Sequence, residues 1–317
     1  MKVWTLGDAV IDLLPQGEMQ FSACAGSAPV NVAVGATRLG CDCGFIGRVG
    51  DDPFGHFLKN LLVVHGVDTR YMQCDTQHRT STVLVSLGDK GDRSFTFLVA
   101  PSADQFLTDD NLPELGKDIL HFCSLALVAT TCRNTLERAI DTIRQGGGLL
   151  SFDINLREQM WPDAQKMLET VRHFALKADI LKLSLEELYW LAGTTQHQKA
   201  LRTLNNYPSR LKVVTCGSEG AIVLWQAQVI QVSAYDVESI DTTGAGDAFM
   251  AGLLASVAQG NSLENLMQLK QALTQASACG ALATSAKGAL TALPDMQGVM
   301  AFRESTHELL FNTEEIF

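Results

Sequence analysis

The chain has 317 residues, 46% of them hydrophobic, and a formal net charge of -11. That is enough apolar material for one large α/β domain or two smaller ones, and the acidity argues against a nucleic-acid footprint while leaving room for local basic spots that hold nucleotide phosphates. No apolar run is long enough to span a bilayer, and the one at residues 1–7 is too short for a signal peptide, so a soluble, cytoplasmic protein is expected. The eight cysteines show no C-x-x-C spacing, and Cys41-Asp42-Cys43 is the only close pair, without a second pair or a nearby histidine. The seven histidines are dispersed. Reduced thiols and no protein metal cage are the expectation.

Residues 3–6 read as a short buried strand running into Gly7-Asp8-Ala9-Val10-Ile11-Asp12. The dinucleotide pattern G-x-G-x-x-G is missing there, which argues against a nicotinamide oxidoreductase. Asp12 is expected at a strand's carboxyl end, where open parallel sheets place ligands; a turn or cap role is the competing reading. Ala25-Gly26-Ser27-Ala28-Pro29 then makes a small-residue turn into a helix that stops at Gly40, with Pro29 in its first turn. Asn31 is uncommon within an apolar face and should point at something polar. Residues 45–49 form another strand, followed by a loop rich in glycine and acid (47–55) and a helix. From 80 to 98 the pattern becomes a two-residue alternation on both sides of Asp89-Lys90-Gly91-Asp92, a hairpin signal. Together with residues 13–24 this hairpin should form a small sheet outside the parallel one. It would be a lid over the ligand site, made from about 12–27 and 72–102 of a single domain spanning 1–317.

The β–α rhythm resumes after residue 110. Strands are expected at 119–123, 149–153, 179–183 and 213–215, with a helix at 133–144 ended by Gly146-Gly147-Gly148. Ser184-Leu185-Glu186-Glu187 has capping-box spacing, and 221–225 with 229–232 look like a hairpin. Strands alternating with helices imply a mainly parallel sheet covered on both faces. Asp241-Thr242-Thr243-Gly244-Ala245-Gly246-Asp247-Ala248-Phe249 then reads as a loop entering a helix. Its glycines let the backbone approach a ligand, and the N–H groups of the first turn form an anion site. Asp247 is either an ordinary partner of the helix dipole or a proton acceptor for whatever attacks a bound phosphate. The second reading points to phosphoryl transfer to a hydroxyl. Residues 263–283 read as one long helix and 287–292 as a final loop.

In this order the motifs resemble the ribokinase-like (phosphofructokinase-B type) family of sugar and nucleoside kinases, along almost the whole chain. Asp241 to Asp247 matches the family's D-T-x-G-A-G-D signature in full. The amino-terminal signature P-G-G-x-x-x-N-x-A is matched at Gly26, Asn31 and Ala33, whereas Ala25 stands for Pro and Ser27 for the second Gly. Within the family, residues 6–15, 46–55, 79–85, 93–97 and 286–294 look most like bacterial fructokinases. Kinases of aminoimidazole riboside share many of these stretches.

The resemblance implies a three-layer ribokinase-like α/β fold with a β lid, and an ATP-dependent kinase acting on the 6-hydroxyl of D-fructose. Aminoimidazole riboside, ribose or another furanose-bearing substrate is the alternative, and a non-catalytic sugar-binding protein a more distant one. It also implies Asp247 as the base, with backbone N–H groups of Gly244, Ala245 and Gly246 around the transferred phosphoryl group. Asp12, Gly26, Ser27 and Asn31 would hold the sugar. Arg157, in Asp153-x-Asn155-x-Arg157, would sit near the acceptor and γ-phosphate, with an ordinary surface arginine as the rival reading. Ser184 and Glu187 match a variant of the family's N-x-x-E. Glu187 would order water around the Mg²⁺ of Mg-ATP, while capping competes for Ser184. Thr215, Gly217 and Gly220 would face the nucleotide. Asp241, Thr243, Ala283, Ala286 and Gly288 would form a monovalent-cation loop for K⁺, although Ala292 stands where some relatives offer a serine hydroxyl. The expected partners are a small-molecule sugar and ATP, with no nucleic acid and no membrane. Exposed lid edges invite pairing with a second copy as a homodimer.

Overall fold

In strand β1 (Val3–Leu6) every residue is buried, and successive side chains point to opposite faces of the sheet. Val3 enters one hydrophobic cluster while Trp4 and Leu6 enter another. A strand apolar on both faces must be covered on both, which is the signature of a parallel sheet between helical layers. The structure, a computed structural model, describes residues 1–87 and 93–315; the turn expected at Asp89-Lys90-Gly91-Asp92 lies outside them.

After β1 come β2 (Val10–Gly17), β3 (Gln20–Gly26), helix α1 (Ala28–Arg38), β4 (Cys43–Gly50), α2 (Pro53–Val64) and β5 (Met72–Asp75). Then follow β6 (Ser81–Leu87), β7 (Arg93–Phe97), β8 (Ile119–Cys123), α3 (Thr130–Gln145), β9 (Leu149–Asp153) and α4 (Ala164–Ala175). Next are β10 (Ile180–Ser184), α5 (Leu185–Ala192), α6 (His197–Asn205), β11 (Leu211–Thr215), β12 (Ala221–Trp225) and β13 (Gln228–Val232). The chain closes with α7 (Ala245–Ala258), α8 (Leu266–Thr284), α9 (Met296–Ser305) and β14 (Phe311–Glu315).

Ten strands form the main sheet in the order β14-β13-β12-β11-β10-β9-β8-β1-β4-β5. Pairing is parallel from β11 through β5 and antiparallel among β11, β12, β13 and β14. From β1 the chain moves to β4 and β5 on one side and later returns to β8 on the other. The crevice between the carboxyl ends of β1 and β8 is therefore a topological switch point, where open α/β sheets bind ligands.

The second sheet has the order β3-β2-β6-β7, with β2 antiparallel to β3, parallel to β6, and β6 antiparallel to β7. Asp12 lies inside β2 of this small sheet rather than at the end of a main-sheet strand. The segment 72–102 expected for the lid starts with β5, which pairs with β4 at the edge of the main sheet. Asp52 ties the root of β6 down. Its carboxylate caps α2 by accepting from the Phe54 and Gly55 N–H groups, and it also accepts from the backbone N–H and hydroxyl of Thr80.

Helix α7 is apolar all round, and its residues from Ala248 to Ala258 are buried, as suits a helix enclosed by others. Small residues let its neighbours come close. A Cβ on Gly252 would stand 2.9 Å from both the Cα of Ala276 and the sulfur of Cys279 on α8, and one on Gly35 of α1 would stand 2.7 Å from the Cβ of Ala251. Gly35 and Ala251 each lie one turn beyond a polar residue, Asn31 and Asp247, so the close crossing of α1 and α7 brings those two together. Gly35→Val puts branched bulk into this contact. It should destabilise the fold by about 1–3 kcal/mol through overpacking, read as a lower urea midpoint at unchanged slope.

Candidate active site

At the switch point lies a cavity of about 240 Å³. Its floor comes from the carboxyl ends of adjacent strands: Asp8 just past β1, Cys123 of β8, Asp153 of β9 and Lys182 of β10. The small sheet supplies one wall through Val10, Asp12, Val83, Phe95 and Phe97, and the amino-terminal turns of α1 and α7 supply another.

Asp247 stands in the first turn of α7, after Gly244, whose φ of 78° is left-handed. A Cβ on Gly244 would meet Ala289 at 2.8 Å, so glycine is required there both for its backbone and for its lack of a side chain. The Asn31 amide donates to Asp247 Oδ2 at 2.7 Å. A carboxylate can only accept, so this contact settles the amide orientation. Asn31 is 3% exposed, and its own buried Oδ1 has no hydrogen-bond donor among the described residues. Burial raises the Asp247 pKa above the ordinary aspartate value, while the Asn31 bond and the charges of Lys182 and Arg157 pull it back. The carboxylate is thus a better proton acceptor than a solvated one, yet it opens onto the cavity.

Lys182 is not legible as a site residue from spacing, although a lysine between buried apolar residues of a strand needs a partner and is the signal that finds it. It is 6% exposed and donates to both oxygens of Asp153, at 3.0 and 2.8 Å. Burial pulls the ammonium towards neutrality, but Asp153, Glu187 and Asp247 outweigh that and its pKa rises. A Cβ on Gly246 would stand 3.0 Å from Lys182 Nζ. This positive charge therefore lies directly under the anion-binding turn of α7. With the N–H groups and dipole of that turn, it makes a site for a developing negative charge.

The other carboxylates lie toward the lid. A Cβ on Gly26 would fall 2.2 Å from Asp12 Oδ2, so the absence of a side chain at Gly26 gives the Asp12 carboxylate its place. Asp8, 6% exposed, is a second site residue that no motif marks. Burial pushes its carboxyl up to about 7, with Asp104 adding to the rise and Arg157 and Ser27 opposing it. Ser27 adopts φ 102°, a conformation suited to the glycine it replaces. Its hydroxyl compensates by donating to the Asp8 carbonyl at 2.6 Å and accepting from the Val30 N–H at the N-cap of α1.

Arg157 follows Asn155, which takes φ 37°. The guanidinium lies over the Phe95 ring, 5.8 Å from its centroid, within cation–π range. It therefore bridges the β9 loop and the lid at the cavity edge instead of lying free on the surface.

Among the nucleotide-side residues, Ser184 and Glu187 form a reciprocal capping box. The Ser184 hydroxyl is spent on the Glu187 N–H, and the two Glu187 oxygens accept from the Ser184 and Leu156 N–H groups. Neither side chain reaches the cavity wall. Ser184 pairs in register with Thr215 of β11, so these residues continue the row of strand ends. Gly217 and Gly220 have φ of 58° and 92°, and a Cβ on Gly220 would lie 2.0 Å from the Val232 carbonyl, which makes that turn glycine-dependent. Asp241 gathers its neighbours by accepting from the Thr243 N–H and hydroxyl and from the Gly288 N–H. The Ile240 and Asp241 N–H groups both donate to the Thr284 carbonyl at the end of α8. The Asp241, Thr243 and Gly288 segments thus meet beside Ala283 and Ala286, near carbonyls that a helix end leaves without intrahelical partners.

Ser27→Ala keeps the strained backbone and loses both hydroxyl bonds. It should cost about 0.5–2 kcal/mol, whereas Ser27→Gly, which releases the strain, should stay within a few tenths; urea denaturation of the two variants reads the difference.

The chain matches the pfkB family carbohydrate kinase over residues 2–296. It is 48% identical to a fructokinase of Klebsiella pneumoniae over 295 residues, covering 92% of this chain and 96% of that one. The fructokinase of Vibrio cholerae O395, solved with fructose, ADP and a calcium ion bound, superposes with a TM-score of 0.90 at 43% identity, covering 95% of this chain and 98% of that one. A double mutant of that enzyme holds fructose, ADP and a potassium ion. Aminoimidazole riboside kinase of Salmonella enterica, with aminoimidazole riboside and an ATP analogue, superposes with a TM-score of 0.89 at 34% identity, covering 96% and 100%. With the family signature over most of its length and relatives of this identity, the chain belongs to the pfkB family of carbohydrate kinases.

Proposed function

We propose that the protein transfers the γ-phosphoryl group of ATP to the 6-hydroxyl of D-fructose, giving fructose 6-phosphate and ADP. The observation that carries this is Asp247, a carboxylate of raised pKa in the anion-binding turn of α7 and open to the cavity. Its likeness to fructokinases exceeds that to aminoimidazole riboside kinase, which favours fructose over a nucleoside.

In this reading, Asp12 and the open Oδ1 of Asn31 hold sugar hydroxyls, while Val83, Phe95 and Phe97 close over the apolar edge of the ring. Asp247 accepts the hydroxyl proton as the bond to phosphorus forms, late because a carboxylate is a weak base toward an alcohol. The backbone N–H groups of Gly244 and Gly246, with Lys182 and Arg157, hold charge on the phosphoryl oxygens, while the Ala245 N–H, expected there too, donates to the Thr242 carbonyl at 3.2 Å. Ser184, Thr215, Gly217 and Gly220 extend the nucleotide site along the strand ends.

A magnesium ion brought in with ATP would neutralise phosphate charge. Mg²⁺ keeps several waters and leans on substrate phosphates, so a chain offering Glu187 alone, with its two oxygens already accepting N–H groups, fits a water-mediated contact. The oxygen-only segments around Asp241, Thr243, Ala283, Ala286 and Gly288 fit a hard monovalent cation such as K⁺. At the lid, strand β3 is an exposed edge, and edge pairing would join two copies through it. Sedimentation at micromolar concentration should then give a dimer, and a monomer would count against it.

Ranking sugars and nucleosides by kcat/KM, with ADP release as the signal, should place fructose first; a nucleoside in first place overturns the assignment. Asp247→Asn should lower turnover by about 10²–10⁴-fold with fructose affinity little changed. Activity should fall as pH drops through the Asp247 pKa, because only the ionised form accepts a proton. The Asn31 hydrogen bond favours that form, so Asn31→Ala should move the acid limb of the kcat/KM profile to higher pH.

A further inference from the structure

Outside the cavity, one junction gathers exposed donor atoms that bond one another. Where β4, α2 and β5 meet, Asp51, His56 and Cys74 bring a carboxylate oxygen, an imidazole nitrogen and a thiol sulfur to within 4.8 Å of one another. Each comes from a separate piece of rigid backbone. Asp51 follows β4, and its N–H donates to the Asp75 carbonyl at 2.7 Å. His56 lies in the first turns of α2, and Cys74 lies on β5 in register with Val49 of β4.

The neighbouring carboxylates are all committed. Asp52 caps α2 and holds Thr80, and Asp75 accepts from Arg48, His78 and the backbone of Gln77 and His78. Asp51 and His56, by contrast, are 50% and 60% exposed and bond each other at 2.9 Å, and the Cys74 thiol hydrogen-bonds the Asp51 carboxylate as well. Cys74 is the exposed thiol of the eight cysteines, the other seven being buried or half-buried.

We infer that Asp51, His56 and Cys74 form a three-ligand site for a zinc-class divalent cation at the root of the lid. The donor set selects the metal. One sulfur, one imidazole nitrogen and one carboxylate oxygen suit Zn²⁺ or Co²⁺ and not Mg²⁺ or Ca²⁺, which take oxygen ligands. Bond lengths of about 2.0–2.3 Å put tetrahedral ligand atoms about 3–4 Å apart, so rotation of exposed side chains closes the existing separations. Thiolate and carboxylate together balance a charge of +2, and three protein ligands leave one position for water or an outside ligand. A bound ion would join α2 to β5 beside the Asp52–Thr80 clamp.

The test uses the full-length protein stripped of metal, without nucleotide and with excess Mg²⁺ to fill hard oxygen sites. Titration with Co²⁺ should saturate at one equivalent and produce a sulfur-to-cobalt charge-transfer band in the near ultraviolet, which Zn²⁺ then removes. Cys74→Ser should abolish the band and Cys24→Ser should keep it. His56→Asn and Asp51→Asn should each weaken Zn²⁺ binding by at least about tenfold, since loss even of a residue that only supports a ligand costs this much. These are surface changes that leave the fold intact, with circular dichroism as the check. Absence of saturable uptake, a band that survives Cys74→Ser, or unaltered Zn²⁺ affinity in His56→Asn would overturn the site.

Discussion

The chemistry of the molecule hangs on one contact between two helix beginnings, the Asn31 amide donating to the Asp247 carboxylate. A hydrogen bond to a charged acceptor is worth about 1.5–3 kcal/mol, and this one also aims the carboxylate. It exists because α1 and α7 approach closely, which Gly35 and Ala251 allow one turn further on. Packing of small residues deep in the core thus reaches the first turn of α7. Residue 35 does not line the cavity, yet its lack of a side chain helps set where the Asp247 carboxylate stands.

Charge is the second organising constraint. Four carboxylates border the cavity, those of Asp8, Asp12, Asp153 and Asp247, against two cations, Lys182 and Arg157. Lys182 answers Asp153 directly, and burial raises the Asp8 pKa to about 7. What remains is a pocket hospitable to a neutral polyol, whose hydroxyls can donate to carboxylates, and unwelcoming to a polyanion that arrives without its own counter-ion. Lys182 lies under the α7 turn, while Asp8 and Asp12 line the cavity away from it, so one cavity offers both a cation beside the turn and acceptors for hydroxyls.

Much of this was legible along the chain because local rules and global fold agree. The β–α alternation, Pro29 in the first turn of α1, Gly40 after it and the loop into α7 each follow from backbone limits that tertiary contacts only reinforce. Other elements left weaker traces. Strand β14 reads Phe-Asn-Thr-Glu-Glu and is mostly exposed, so no apolar alternation announces it; pairing with β13 makes it a strand. Asp12 looked like the end of a central strand, but the chain turns at Gly7 and carries it into the small sheet. Asp8 and Lys182 show why site residues hide. Their importance comes from who faces them across strands, and only the sheet order reveals that. Ser184 shows the reverse: its capping-box spacing announced a hydrogen bond that occupies the hydroxyl, while the family likeness pointed to the nucleotide.

The Arg157 guanidinium lying over Phe95 has a bearing on traffic. It ties the body of the protein to the small sheet where both line the pocket, so lifting the small sheet away has to part a cation from an aromatic face. At a partly exposed position such a contact is worth about 0.5–1 kcal/mol, which biases the gate by only a few-fold. A latch of that strength favours the joined arrangement yet yields readily, which suits a site that must let its product go.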